Sequence, residues 1–123
     1  NDFYDMLKYH SNNLQNFVVH CFTGNENHLT KYLDMGAYIG LTGWLTDTDR
    51  GSHLKDFIRF IPHDRIMIET DAPYLIPHNM HSKHDGINQP AYLTYVAEAV
   101  AQSMDLDINY LSEITIKNTK LNL

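Results

Sequence analysis

A single cysteine, Cys21, stands in the 123-residue sequence. No internal disulfide can form, and a reducing compartment, by default the cytoplasm, is the expectation. Long apolar runs are missing as well. No stretch approaches the roughly 20 residues of a membrane-spanning helix, and no basic start leads into an apolar signal core. A soluble chain with no membrane partner is expected. Cations are scarce: nine Lys and Arg stand against fifteen Asp and Glu, a formal charge of −6, and the pI is near 5.6. That balance argues against a module gripping duplex DNA by broad phosphate neutralisation. It leaves room for an enzyme that engages one strand end through metal ions, because the ions carry the local positive charge. The first residue is Asn1 and not Met, so a piece of a longer protein is expected. Repeats, low-complexity tracts and linkers are absent.

The length suffices for one domain with a real core, and 43% hydrophobic with 20% charged residues is ordinary for a globular chain. Helix-like and strand-like patterns alternate. Helices are expected over 3–9, 25–35, 54–61, 91–103 and 108–115, and strands over 17–19, 37–41 and 66–69. In the second helix Leu29, Tyr32 and Leu33 fall at i, i+3, i+4, and Gly36 sits where a C-terminal cap belongs. Leu54, Phe57, Ile58 and Ile61 make an amphipathic stripe that Pro62 stops. Pro90 suits the first turn of the fourth helix, and Asp107 the cap of the last. Residues 70–89 read as a long irregular stretch. The order α-β-α-β-α-β-α-α predicts parallel strands joined by right-handed crossovers. A small open sheet and part of a (β/α)8 barrel both fit.

Two polar residues fall where such folds keep their chemistry. His20 ends the first apolar run, and Asp71 lies two residues beyond Glu69 at the end of the third. The carboxyl ends of barrel strands form the active-site face, and imidazole and carboxylate are ordinary ligands for divalent ions. On position alone this is suggestive only, because a His at a strand end is more often a structural residue.

The local sequences add a resemblance. His20-Cys21-Phe22-Thr23-Gly24, Tyr38-Ile39-Gly40-Leu41-Thr42-Gly43-Trp44 and Ile68-Glu69-Thr70-Asp71-Ala72-Pro73-Tyr74-Leu75 resemble three successive motifs of the TatD family of metal-dependent deoxyribonucleases. Asn88-Gln89-Pro90 is similar to that family's Asn-Glu-Pro segment, and residues 115–123 to its closing Thr-x-x-Asn stretch. The resemblance implies an α/β fold, the C-terminal part of a TIM-type (β/α)8 barrel of the metal-dependent hydrolase superfamily, with the N-terminal half absent from residues 1–123. It implies hydrolysis of phosphodiester bonds in DNA, as an exonuclease on single strands, with divalent Mg, Mn or Zn. His20 would be a metal ligand on the sixth strand. Asp71, on the eighth, would bind metal and take the proton of the attacking water. A metal-dependent C–N or ester hydrolase on a related barrel, or a non-catalytic fragment, are the alternatives.

The departures are specific. The family's first strand carries a His-x-His pair, and later strands a Glu and another His, whereas none of the eight histidines here are two apart. Where the family often has arginines before the Asn-Glu-Pro segment, this chain has Gly86 and Ile87. His20 and Asp71 alone are too few for a tight divalent site, which takes at least three protein groups, so an isolated segment is expected to be inactive.

Other residues carry two readings each. Glu69 either supports the metal site from behind or is a buried carboxylate held by structural hydrogen bonds. Trp44 either stacks on a nucleobase or packs as a lid residue over the barrel mouth. His78, His81 and His84 form either a zinc site or a solvated loop, and no helix aligns them. Cys21 reads as a small buried neighbour of His20. Thr23, Gly24, Thr42 and Gly43 read as turn formers, although their backbone N–H groups could approach phosphate. Asp47, Asp49 and Arg50 read as a solvated loop.

Overall fold

The three apolar runs pair side by side. In the computed structural model, which describes residues 2–122, β1 (Val18–Val19), β2 (Tyr38–Leu41) and β3 (Ile66–Ile68) form a parallel sheet in the order β1-β2-β3. Val18 lies opposite Tyr38 and Val19 opposite Ile39. Ile39, Gly40 and Leu41 lie opposite Ile66, Met67 and Ile68. Side chains alternate along a strand, so the register sorts them into two faces. Val19, Ile39, Leu41 and Ile66 share the face that joins the hydrophobic core, with Ile68 packed against it. Val18, Tyr38, Gly40 and Met67 share the other, and none of these belongs to the core cluster. His20 and Glu69, one residue past their strands, continue that second face.

Helices cover the core face. α1 (Asp2–His10) leans Tyr4 and Leu7 on it. α2 (Glu26–Asp34) starts at a capping box, in which the Asn25 side chain accepts from the His28 N–H and the His28 ring accepts from the Asn25 N–H. It ends at Gly36, whose φ of +80° suits only a residue without a β-carbon. α3 (Leu93–Met104) buries Val96, Ala97, Val100, Ala101 and Met104, the i, i+4, i+8 pattern of a helix facing a core. α4 (Ile108–Leu121) is capped by Asp107, which accepts from the N–H groups of Asn109 and Tyr110. No helix among the described residues is long and apolar enough to cross a membrane.

Two expectations are corrected. The helix predicted to end at residue 115 runs to Leu121. Its polar second half hides a buried stripe, Leu111, Thr115 and Asn118 at i, i+4, i+7, in which Asn118 hydrogen-bonds the carbonyls of His63 and Ile66. The α-helix predicted over 54–61 is instead two short 3₁₀ segments, Ser52–Asp56 and Ile58–Phe60. The four predicted apolar residues are all buried, but by i, i+3 stacking: Leu54 with Phe57, then Ile58 with Ile61. Three residues per turn align such pairs directly, and the aromatic and β-branched residues gain little from an α-helical alternative.

The packing of the second 3₁₀ segment is testable by an adjacent contrast. Ile58 is fully buried and Phe60 is 56% exposed. Ile58→Ala is expected to lower unfolding free energy by about 2–5 kcal/mol and Phe60→Ala by roughly 0.5 kcal/mol or less, read from urea denaturation. Equal losses would mean that the two side chains are not segregated as described.

Candidate active site

The carboxyl ends of β1 and β3 are tied together by one carboxylate. The chain turns sharply after β1, with Cys21 in the left-handed region at φ +49°. This turn presents two consecutive donors to Glu69. The Cys21 N–H donates to Oε1 at 2.9 Å, and His20 Nδ1 contacts Oε2. Glu69 reaches them by crossing β2 above Gly40, where any β-carbon would collide with its Oε1. Cys21 Sγ lies 3.5 Å from Thr42 Oγ1, which adds a contact between the turn and the end of β2.

Nδ1 faces a carboxylate, which orients the ring so that Nε2 is the nitrogen turned towards the mouth. Nε2 in turn faces Asp71 Oδ1 at 3.7 Å. The Glu69 side chain is 18% exposed, whereas His20 is 59% and Asp71 40% exposed. The half-buried carboxylate therefore lies behind, and an open imidazole and carboxylate lie in front. Asp71 stands beyond the end of β3 in left-handed backbone, φ +56°, so strand alternation does not place it. The turn at residues 70–74 does, with Ala72 N–H donating to Thr70 Oγ1 and Tyr74 N–H to the Asp71 carbonyl. The Ala72–Pro73 peptide bond is cis.

The donor chemistry fits a divalent cation: an imidazole held through its other nitrogen, beside an accessible carboxylate. Among the described residues no group of three or more His, Cys, Asp or Glu is arranged to hold a metal; His20 and Asp71 are two donors, fewer than a tight divalent site takes. The same observation leaves His78, His81 and His84 outside any cluster. His78 N–H donates to Thr46 Oγ1, and His84 Nδ1 accepts from Gly86 N–H.

Trp44 lies in the 3₁₀ turn Gly43–Thr46 and packs against the core. The Arg50 guanidinium sits over its ring, 4.5 Å from the centroid. The loop reading of Asp47 is corrected: it is buried. Its Oδ1 accepts from the N–H groups of Asp49 and Arg50, and its Oδ2 from Arg50 Nε at 2.7 Å. These bonds, first the Arg50 backbone N–H and then its guanidinium, lower the carboxyl pKa from 3.8 to about 2. The residue that sequence reasoning passed over is Gly40. A glycine inside an apolar strand does signal a close approach, although not what approaches.

The model of a family described as TatD related DNase matches residues 1–122. The 3'-5' ssDNA/RNA exonuclease TatD of Rahnella sp. (strain Y9602) is 43% identical over 119 residues, which cover 96% of this chain and 45% of that protein. The protein of the same name from Salmonella typhimurium is 39% identical over 104 residues, 84% of this chain and 40% of its own length. The chain thus spans less than half the length of these curated relatives. Among solved structures, a hydrolase TatD family protein from Entamoeba histolytica superposes with a TM-score of 0.83 at 23% identity, over 96% of this chain and 45% of its own. A TatD homolog from Escherichia coli gives 0.81 at 24%, over 96% and 44%. The architecture is accordingly α/β, part of a TIM-type barrel.

Two outcomes test this geometry. Gly40→Ala should drive Glu69 off the 20–21 turn and destabilise the protein by about 1–3 kcal/mol through overpacking, visible as a shifted Cys21 amide resonance. An unmoved Cys21 signal would separate Gly40 from the tie. For the loop, a carboxyl held near 2 stabilises its charged form above the ordinary carboxylate range, and that stability is lost as pH falls from about 4 towards 2. The fluorescence of Trp44, the only tryptophan, should change with a midpoint near 2, and the step should vanish in Asp47→Asn. A midpoint near 4 would mean that the Arg50 bonds do not form in solution.

Proposed function

This chain belongs to the TatD-related DNase family, and we propose that its full-length protein is a metal-dependent nuclease degrading single-stranded DNA from one end, in which this segment supplies His20 and Asp71 to the metal centre. The observation that carries the reading is the chain of contacts Glu69–His20–Asp71: a carboxylate holding an imidazole by Nδ1 so that Nε2 faces a second, accessible carboxylate. The relatives named 3'-5' ssDNA/RNA exonuclease support a single-stranded substrate attacked from its 3' end.

His20 Nε2 and an Asp71 oxygen would hold divalent ions such as Mg, Mn or Zn. Bound there, such ions would acidify water and neutralise charge developing on the phosphate oxygens. Asp71 accepts the proton of the attacking water at a carboxylate oxygen. Glu69 fixes the ring plane of His20 and touches no reacting atom. Trp44, already covered on one face by Arg50, has the role of packing the wall beside the mouth rather than of stacking a base.

The remaining ligands belong to strands outside this segment, which forms the closing half of the barrel. Two surfaces support that division. Among the described residues β1 and β3 each have one strand neighbour. An apolar groove of about 460 Å³, lined by Ile68, Leu93, Ala97 and Ile116 among others, lies open beside β3.

The test uses the full-length protein with a labelled single-stranded oligonucleotide, alongside simple esters and amides. Asp71→Asn should cut turnover by about 10²-fold or more with an unchanged circular dichroism spectrum. Glu69→Gln keeps an acceptor for Cys21 N–H but loses its charge beside His20, and should weaken metal affinity by about 10- to 100-fold. Near-normal turnover in Asp71→Asn, or faster cleavage of amides than of the oligonucleotide, would defeat the proposal.

A further inference from the structure

Both ends of β3 are held by a buried asparagine. At the amino end Asn118 of α4, 2% exposed, donates through Nδ2 to the carbonyls of His63 at 2.9 Å and Ile66 at 2.8 Å. Beyond the carboxyl end Asn88, 3% exposed, donates through Nδ2 to the carbonyls of Thr70 and Tyr74, each at 2.7 Å, with the Leu75 carbonyl at 3.4 Å. Its backbone N–H donates to the Pro73 carbonyl at 3.0 Å, and its Oδ1 accepts from Gln89 N–H at 2.9 Å.

Asn88 thus bonds to the chain on both sides of Asp71, one residue before it and two to four after. Within that stretch the bonds are short-range, Ala72 N–H to Thr70 Oγ1 and Tyr74 N–H to the Asp71 carbonyl, and Asn88 adds those that come from outside it. No helix or strand lies between β3 and Pro90, and both Asp71 and Leu75 adopt left-handed backbone at φ +56°, which residues with a β-carbon disfavour. A buried amide needs acceptors, and the carbonyls of Thr70 and Tyr74 are the two that the Asn88 Nδ2 meets at 2.7 Å. One planar group meeting both carbonyls sets their separation, and with it the backbone turn between them.

We infer that Asn88 is a positioning residue for the Asp71 carboxylate: by fixing the left-handed turn at Asp71 it keeps Oδ1 facing His20 Nε2. It touches no reacting atom and acts only through the backbone of residues 70–75. The inference rests on the proposed role of Asp71 as metal ligand and proton acceptor. Aspartate cannot replace Asn88, because its ionised oxygens would face carbonyl oxygens with no proton to donate.

Asn118 provides the control, since it has the same chemistry, similar burial and the opposite end of the same strand. Asn88→Asp and Asn118→Asp are made in the full-length protein. Amide exchange of Tyr74, whose N–H donates to the Asp71 carbonyl, is read without metal. Manganese affinity, kcat and KM are read on the folded fraction. Asn88→Asp should speed Tyr74 exchange roughly tenfold, weaken manganese affinity by about 10- to 100-fold and lower kcat with KM nearly unchanged. Asn118→Asp should lose stability with all four near wild type. Should Asn88→Asp fail to fold, Asn88→Ser, which keeps one donor, is expected to show the same pattern more weakly. Matching losses in the two asparagine variants, or unchanged Tyr74 exchange and metal affinity at position 88, would reduce Asn88 to a structural residue. Full turnover in Asp71→Asn would overturn the proposed role of Asp71 instead, and the exchange measurement would still decide whether Asn88 fixes its loop.

Discussion

The Glu69 carboxylate is the contact on which the geometry of the mouth depends. Strands β1 and β3 do not touch; β2 separates them. Glu69 spans that gap and satisfies two donors from consecutive residues of the opposite turn. Three local features exist for this contact. Gly40 leaves the space that the side chain crosses. Cys21 takes a left-handed backbone that aims its N–H at Oε1. The short β1 gives way to a turn in time for His20 to lie above the sheet. A half-buried carboxylate without partners would be costly, so these features are mutually dependent. Losing the space, the turn or the ring leaves the charge with unmet hydrogen bonds.

What surrounds this contact is a partial barrel, and its packing is lopsided for that reason. One face of the sheet merges into a continuous core with the helices. On the other, Tyr38 and Met67 are buried but Val18, on the edge strand, is 43% exposed. Parallel sheets are normally covered on both faces, and strand edges left unpaired invite other strands. The open edges, the bare Val18 and the groove beside β3 are the surfaces on which a closed barrel would continue. The same division would run through the proposed metal centre, to which this segment offers two donors, His20 and Asp71.

How far the sequence revealed this depended on whether the determining interaction was local. The stop at Gly36 and the Asp107 cap act within four residues and were read directly, whereas Asn25, read as the first helical residue, is the cap of α2. So could the strand pattern of residues 37–41, because each residue there is buried. The segment 54–61 was read correctly for burial and wrongly for helix type. Over eight residues an i, i+3, i+4 stripe satisfies a helix of 3.0 or 3.6 residues per turn. The end of α4 was missed because Asn118 looks polar and is buried through bonds to residues more than fifty positions away. His20 and Asp71 were identifiable as candidates from their places after apolar runs and from motif resemblance. The partnership of Glu69 with Cys21 spans 48 positions, and nothing in local pattern specifies it. Buried Asp47 was missed for a different reason: its donors, on Asp49 and Arg50, are only two and three residues away, but a run of polar residues reads as solvated whether or not the turn folds around its own carboxylate.

Charge joins the mouth to its proposed substrate. A chain with a formal charge of −6 repels a phosphate backbone over most of its surface. Arg50, beside Trp44, is already committed to Asp47 and to the ring face. Glu69 spends its negative charge on His20 and the Cys21 N–H, which leaves Asp71 as the carboxylate open at the mouth. On the proposed reading, an acidic surface with an accessible carboxylate beside an imidazole would draw divalent cations before it drew nucleic acid. Attraction of a strand then follows from the ions and is confined to where they sit. Such a mouth would engage a terminus, where one phosphate can reach the ions, more readily than the middle of a long duplex, whose neighbouring phosphates would meet the acidic rim. On the proposed reading, preference for an end would follow from placing positive charge in ions at a single point instead of in side chains along a groove.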